Sequence, residues 1–133
     1  MNSYVVDAHA LIWFVAGSAR LGAAAKAALG ASDSTLIVPA IALAEACWVI
    51  VLGRTDIKDV QTLMDALVAD PRFVIDPLDL DIVKRSQGLD AIREMHDRQI
   101  VASTLRAGEA EQGVPLLTCD HDIVSSKLVP TLW

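Results

Sequence analysis

Runs of apolar residues broken by acids and turn formers set the reading frame of this chain. "YVVD" near the start reads as a short buried strand ending in Asp7, and "HALIWFV" reads as an apolar helix after it. "LGAAAKAALGA" predicts a second helix, and "STLIVP" a second strand ending near Val38. A helix from about Ala40 to Leu52 follows, with Pro39 placed where a helix begins rather than continues. Between Asp59 and Ala69, the residues Val60, Leu63, Met64, Leu67 and Val68 recur at helical spacing. "RFVID" predicts a third strand stopped by Pro77, with helices then covering roughly Asp79 to Gly88 and His96 to Glu111. "GVPLLTCD" predicts a late strand ending at Thr118, and "SKLVP" adds an edge strand. Strands alternating with helices in this way imply an α/β domain over residues 1–133, with a central parallel sheet of about four to five strands and helices on both faces.

Composition narrows the class. The chain has 133 residues, 53% of them hydrophobic, enough for one substantial core and unlike a disordered segment. The apolar stretch from Leu36 to Leu52 is shorter than the roughly 20 residues a bilayer span needs, and Glu45 sits inside it. The first basic residue is Arg20, so Ala8 to Ala16 lacks the charged start of a signal peptide; cytoplasmic residence is the expectation. Cys47 and Cys119 are too few for a disulfide framework and read as free thiols. A formal charge of -6 argues against a generic polyanion binder. That objection weakens if carboxylates hold divalent cations, since one would bring -6 to about -4 and two to about -2.

The acids carry the chemistry. In an open parallel sheet the functional crevice lies at the carboxyl ends of the strands. Asp7 ends the first strand, Glu45 follows the second by about two helical turns, and Asp120 lies just past the late strand's Thr118. Asp97, in "MHDRQIVAST", stands above the stripe of Ile100, Val101 and Leu105, on the helix face that meets the sheet. Four carboxylates converging there would repel one another and raise each other's pKa unless positive charge is supplied. Oxygen-only ligands select hard cations, Mg2+ or Mn2+, over zinc. Such a site activates water and neutralises charge on a phosphoryl group, so phosphodiester hydrolysis is the natural chemistry.

The blocks "VVDAHALIW", "VPAIALAEACWVIVLGR", "HDRQIVAST" and "LLTCD", in this order and spacing, resemble the four motif blocks of PIN-domain proteins. The chain as a whole resembles the small VapC-like toxins of bacterial toxin-antitoxin pairs, over residues 4 to about 124. The resemblance implies a Mg2+- or Mn2+-dependent endoribonuclease that hydrolyses RNA by metal-activated water and leaves a 5'-phosphate. Its metal ligands would be Asp7, Glu45, Asp97 and Asp120, with Thr118 of the T-x-D pattern hydrogen-bonding a carboxylate or water. It also implies a homodimer held inactive by a cognate antitoxin, which itself binds operator DNA. Family members often carry hydroxyl residues just after the first acid and shortly before the glutamate; Ala8 and Ala42 stand there instead.

Each residue also has a plainer role. Asp7 is suited to cap a helix, Glu45 to pair with an arginine, and Asp97 to complement a helix dipole, with Glu94 one turn earlier as its competitor. Asp122 competes with Asp120 or caps a short final helix. His9, His96 and His121 lack zinc-site spacing. Trp13, Trp48 and Trp133 suit a core or an interface better than base stacking. Lys84, Arg85, Arg93, Arg98 and Arg106 flank Asp97 either as paired surface charge or as RNA contacts. A phosphorylation receiver would use Asp76 but needs an acidic pair after the first strand, and a haloacid-dehalogenase-like phosphatase needs D-x-D; neither pattern is present. The remaining rivals are a non-catalytic interaction module on the same fold and a nuclease acting on DNA.

Overall fold

The computed structural model describes residues 2–133. Strands β1 (Asn2–Val6), β2 (Ser34–Pro39), β3 (Phe73–Asp76), β4 (Leu116–Leu117) and β5 (Thr131–Leu132) form a five-stranded parallel sheet in the order β3-β2-β1-β4-β5. Helices α1 (Ala8–Ala16), α2 (Ala23–Gly30), α3 (Ala40–Val51), α4 (Val60–Ala69), α5 (Leu80–Ser86), α6 (Met95–Ala110) and α7 (His121–Ser126) connect and cover it.

Alternation along the strands builds two cores. Val6, Leu36, Val38 and Leu117 face one side, where they pack with Leu11 and Ile12 of α1, Leu29 of α2, Ile50 of α3 and Leu63 of α4. Val5, Ile37 and Leu116 face the other side and meet Ile100 and Val101 of α6 and Ile123 of α7. A sheet covered on both faces explains why its strands read as continuous apolar runs rather than alternating ones. The chain steps outward from β1 to β2 to β3 and then returns to the opposite flank of β1 with β4 and β5. Strand order therefore reverses between β1 and β4, and the crevice outside their carboxyl ends is where such sheets bind ligands. Val6 pairs with Leu117 across that boundary, and the Asp7 amide donates to the Leu117 carbonyl at 3.2 Å. Asp7 and Thr118 consequently leave the sheet side by side.

One expectation is corrected. The edge strand is Thr131–Leu132 and not "SKLVP": Lys127 ends α7 in a left-handed conformation, and the strand-like hydrogen bonding begins with the Pro130 carbonyl, which accepts from the Leu116 amide. The apolar stretch of Leu36 to Leu52 is, as expected, a strand followed by a helix, and α3 is half covered, with Trp48 61% and Val51 66% exposed. Among the described residues no helix is long and apolar enough to cross a membrane.

Candidate functional site

Asp7 terminates β1 and caps α1. Its Oδ1 accepts from the Ala8 amide at 2.7 Å and its Oδ2 accepts from the Thr118 hydroxyl at 2.6 Å. The capping role and a place in the crevice thus coincide in one residue. Asp7 is only 7% exposed, and burial raises its carboxyl above the ordinary 3.8 against the opposing pull of those two hydrogen bonds. The Thr118 hydroxyl also accepts from the Asp120 amide at 3.1 Å. Thr118 therefore links the ends of β1 and β4 to the start of α7.

The other acids come from three helices. Glu45, half-buried on α3, forms no ion pair or hydrogen bond among the described residues, so the arginine partner it was offered is absent; burial and then nearby Asp7 raise its pKa. Asp97 lies in the first turn of α6, where Glu94 caps the helix by accepting from the Asp97 amide at 2.9 Å. Burial first, then Asp120, Asp7, Glu94 and Glu45 in that order, push the Asp97 carboxyl up to about 7. Asp120, rather than Asp122, caps α7: its Oδ1 accepts from the Ile123 amide at 3.0 Å.

These residues share one cleft of about 690 Å³, lined by Asp7, Glu45, Glu94, His96, Asp97, Thr118 and Asp120 at one end. Oxygen-only donors with uncompensated negative charge fit a hard dication. As the side chains stand, no three of the described His, Cys, Asp or Glu residues are grouped closely enough to hold an ion together. The acids nevertheless oppose one another's ionisation, Asp7 and Glu94 raising Glu45 and Asp120, Asp7, Glu94 and Glu45 raising Asp97.

A sequence model of the PIN domain matches residues 4–126. The chain belongs to the PIN domain family. No curated protein matches it. Its fold is similar to that of VapBC2 from Rickettsia felis, solved bound to a DNA fragment from their promoter, with a TM-score of 0.66 at 13% identity, covering 98% of this chain and 97% of that one. FitAcB from Neisseria gonorrhoeae is similar to the same degree, with a TM-score of 0.65 at 14% identity and coverage of 98% and 96%.

Within this PIN domain the basic residues fall elsewhere than the sequence suggested. Arg85 pairs with Asp81 and Glu109, Arg106 with Asp76, Asp79 and Asp81, and Arg98 donates to the Ile92 carbonyl. None of the five cations flanking Asp97 lines the cleft, and Asp76, the receiver-type acid, is occupied by Arg106 and Ser103. The cleft's arginines are Arg20 and Arg54, which also line a second cavity that none of the four acids lines; Thr55 and the edge-on pair Trp13 and Trp133 at 5.6 Å complete this part of the cleft lining. Trp13 and Trp133 are half-buried at the cleft wall, whereas Trp48 belongs to neither core nor cleft. A glycine before each cation was the available signal: Gly17 and Gly53 both cap helices in a left-handed conformation and turn the chain into the segment that bears the arginine.

Proposed function

We propose that this PIN domain is a Mg2+- or Mn2+-dependent endoribonuclease, acting as the VapC-like toxin of a toxin-antitoxin pair. The observation that carries the reading is that Asp7, Glu45, Asp97 and Asp120 line one cleft at the point where strand order reverses, with no lysine or arginine ion-paired to any of them among the described residues. A structural ion-pair network would place its cations there; here the charge is left for a ligand to neutralise.

Asp7, Glu45, Asp97 and Asp120 would hold the cation, which supplies an activated water at neutral pH and neutralises charge on the phosphoryl oxygens. Thr118 fixes the Asp7 carboxylate by donating to Oδ2, and holds the Asp120 backbone beside it. Asp97, at about 7, carries a proton for much of the time at neutrality and must release it to serve as a ligand, so cation affinity rises as pH passes from about 6 to 8. Glu94 fixes the first turn of α6 and with it the position of Asp97.

The likeness to VapBC2, solved bound to a promoter DNA fragment, and to FitAcB supports a cognate antitoxin as protein partner, with operator DNA reached through that antitoxin. A homodimeric, cytoplasmic toxin completes the proposal. The test is cleavage of end-labelled structured and unstructured RNAs, and of matched single-stranded DNA, by antitoxin-free protein in Mg2+, Mn2+ or EDTA. Discrete RNA products that vanish in EDTA support the reading. Cleavage of DNA alone would reassign the substrate, and a folded protein that cuts neither would favour the non-catalytic interaction module.

A further inference from the structure

We infer that Arg20 and Arg54 form a phosphate subsite that holds the RNA backbone a few nucleotides from the scissile bond; this rests on the nuclease reading. The twin origin of these two residues is the first support. α1 and α3, the helices that carry or follow Asp7 and Glu45, end in the same motif. The Gly17 amide donates to the Phe14 carbonyl and the Ser18 amide to Trp13, while Gly53 donates to Ile50 and Arg54 to Val49. Both glycines are left-handed, at φ 65 and 70 degrees. Two packed helices thus place one acid at the start of α1, Asp7, and one at the middle of α3, Glu45, with an arginine in the segment past each helix end, along one cleft.

Charge supplies the second support. Four of the chain's arginines, Arg72, Arg85, Arg98 and Arg106, have their guanidinium groups engaged by carboxylates or carbonyls. Those of Arg20, Arg54 and Arg93 form no hydrogen bond or ion pair among the described residues and all three are exposed, but only Arg20 and Arg54 line the cleft, and both also line a second cavity of about 230 Å³. Complementing the helix dipole does not account for Arg20, because that effect fades within the last turn and Arg20 lies four residues beyond Ala16. A polyanion entering a cleft whose far end is acidic, in a chain of charge -6, needs a local cationic hold. Guanidinium groups match phosphate oxygens in a planar, two-pronged geometry.

Spacing supplies the third. Glu45 precedes the last residue of α3 by six positions, a rise of about 9 Å, and Arg54 follows after the turn. That separation suits a phosphate a few nucleotides along a single strand from the bond at the carboxylates.

The experiment uses the full chain and a fluorescein-labelled single-stranded RNA that the wild type cuts, with KM, kcat and the salt dependence of binding in EDTA measured for Arg20→Gln/Arg54→Gln. The double variant should raise KM at least tenfold with kcat within about twofold. It should also flatten the slope of log Kd against log salt by about 1.4, from about 0.7 for each of two phosphates on a single strand. Arg54→Lys alone should keep most of the slope, and Lys84→Gln, on the surface outside the cleft, should change neither quantity. Thermal melting of each variant separates lost binding from lost fold. A double variant that melts normally and cuts RNA with wild-type KM and slope overturns the inference and leaves the nuclease reading intact; it would point to a protein segment as the occupant of this end. A wild type that cuts no RNA in either cation overturns both.

Discussion

Replacing Asp97 with Asn should make the cation-free protein more stable at pH 8. The native carboxyl titrates at about 7, whereas an unfolded aspartate titrates near 3.8. A folded-state value raised above the unfolded one means that the stabilisation is fully present below 3.8 and is lost as pH rises through 7. Ionising Asp97 in the fold would cost at most about 4 kcal/mol on that difference. The residue is half-buried and water screens it, which leaves about 1 to 2 kcal/mol. Asn keeps the size and the backbone hydrogen bond to Glu94 and removes the charge that Asp120, Asp7, Glu94 and Glu45 oppose. Urea denaturation in EDTA should therefore show the variant ahead by that margin at pH 8, and by less than half of it at pH 5, where the wild-type carboxyl is already largely protonated. Mg2+ or Mn2+ should reverse the order by stabilising only the wild type. A variant no more stable than wild type at pH 8, or equally ahead at both pH values, would refute the electrostatic reasoning.

Thr118→Val should destabilise the fold by about 1 to 3 kcal/mol in urea titration, because it strips a hydrogen bond from buried Asp7 and an acceptor from the Asp120 amide. Gly22→Ala should cost a similar amount, about 1 to 3 kcal/mol by thermal or urea denaturation, since a Cβ there would lie 2.5 Å from the Trp133 backbone. Mn2+ binding, followed by electron paramagnetic resonance, should weaken at least tenfold in Glu45→Gln and in Asp120→Asn and should strengthen between pH 6 and 8 in the wild type; affinity independent of either acid would remove that acid from the site.

Fold was legible where one physical constraint dominates. Buried parallel strands must be apolar throughout, so "YVVD" and "STLIVP" declared themselves, and Asp59, Asp79 and Asp120 cap their helices as short acids do at helix starts. β5 was misplaced because two residues carry no usable period, and its position depends on the Leu116 amide finding the Pro130 carbonyl. That Asp7, Glu45, Asp97 and Asp120 share one cleft was legible because strand ends define the crevice of a parallel sheet. Arg20 and Arg54 were not foreseen: beyond the preceding glycines nothing local marks them, and the run around Asp97 looked richer in charge, although Arg85 and Arg106 are paired with Asp76, Asp79, Asp81 and Glu109, mostly distant in sequence, and Arg98 bonds the Ile92 carbonyl. Ala8 and Ala42 are fully buried, one in each core, so packing on the two sheet faces explains why methyl groups are accommodated there.

The most direct measurement compares cleavage of one end-labelled RNA by wild type and Asp7→Asn in Mg2+, each freed of antitoxin and each shown to be folded. The account predicts discrete products from the wild type and at least a hundredfold loss in the variant, because the buried carboxylate that Thr118 and Ala8 hold at the end of β1 is gone. An Asp7→Asn protein that cuts the RNA at the wild-type rate would contradict it.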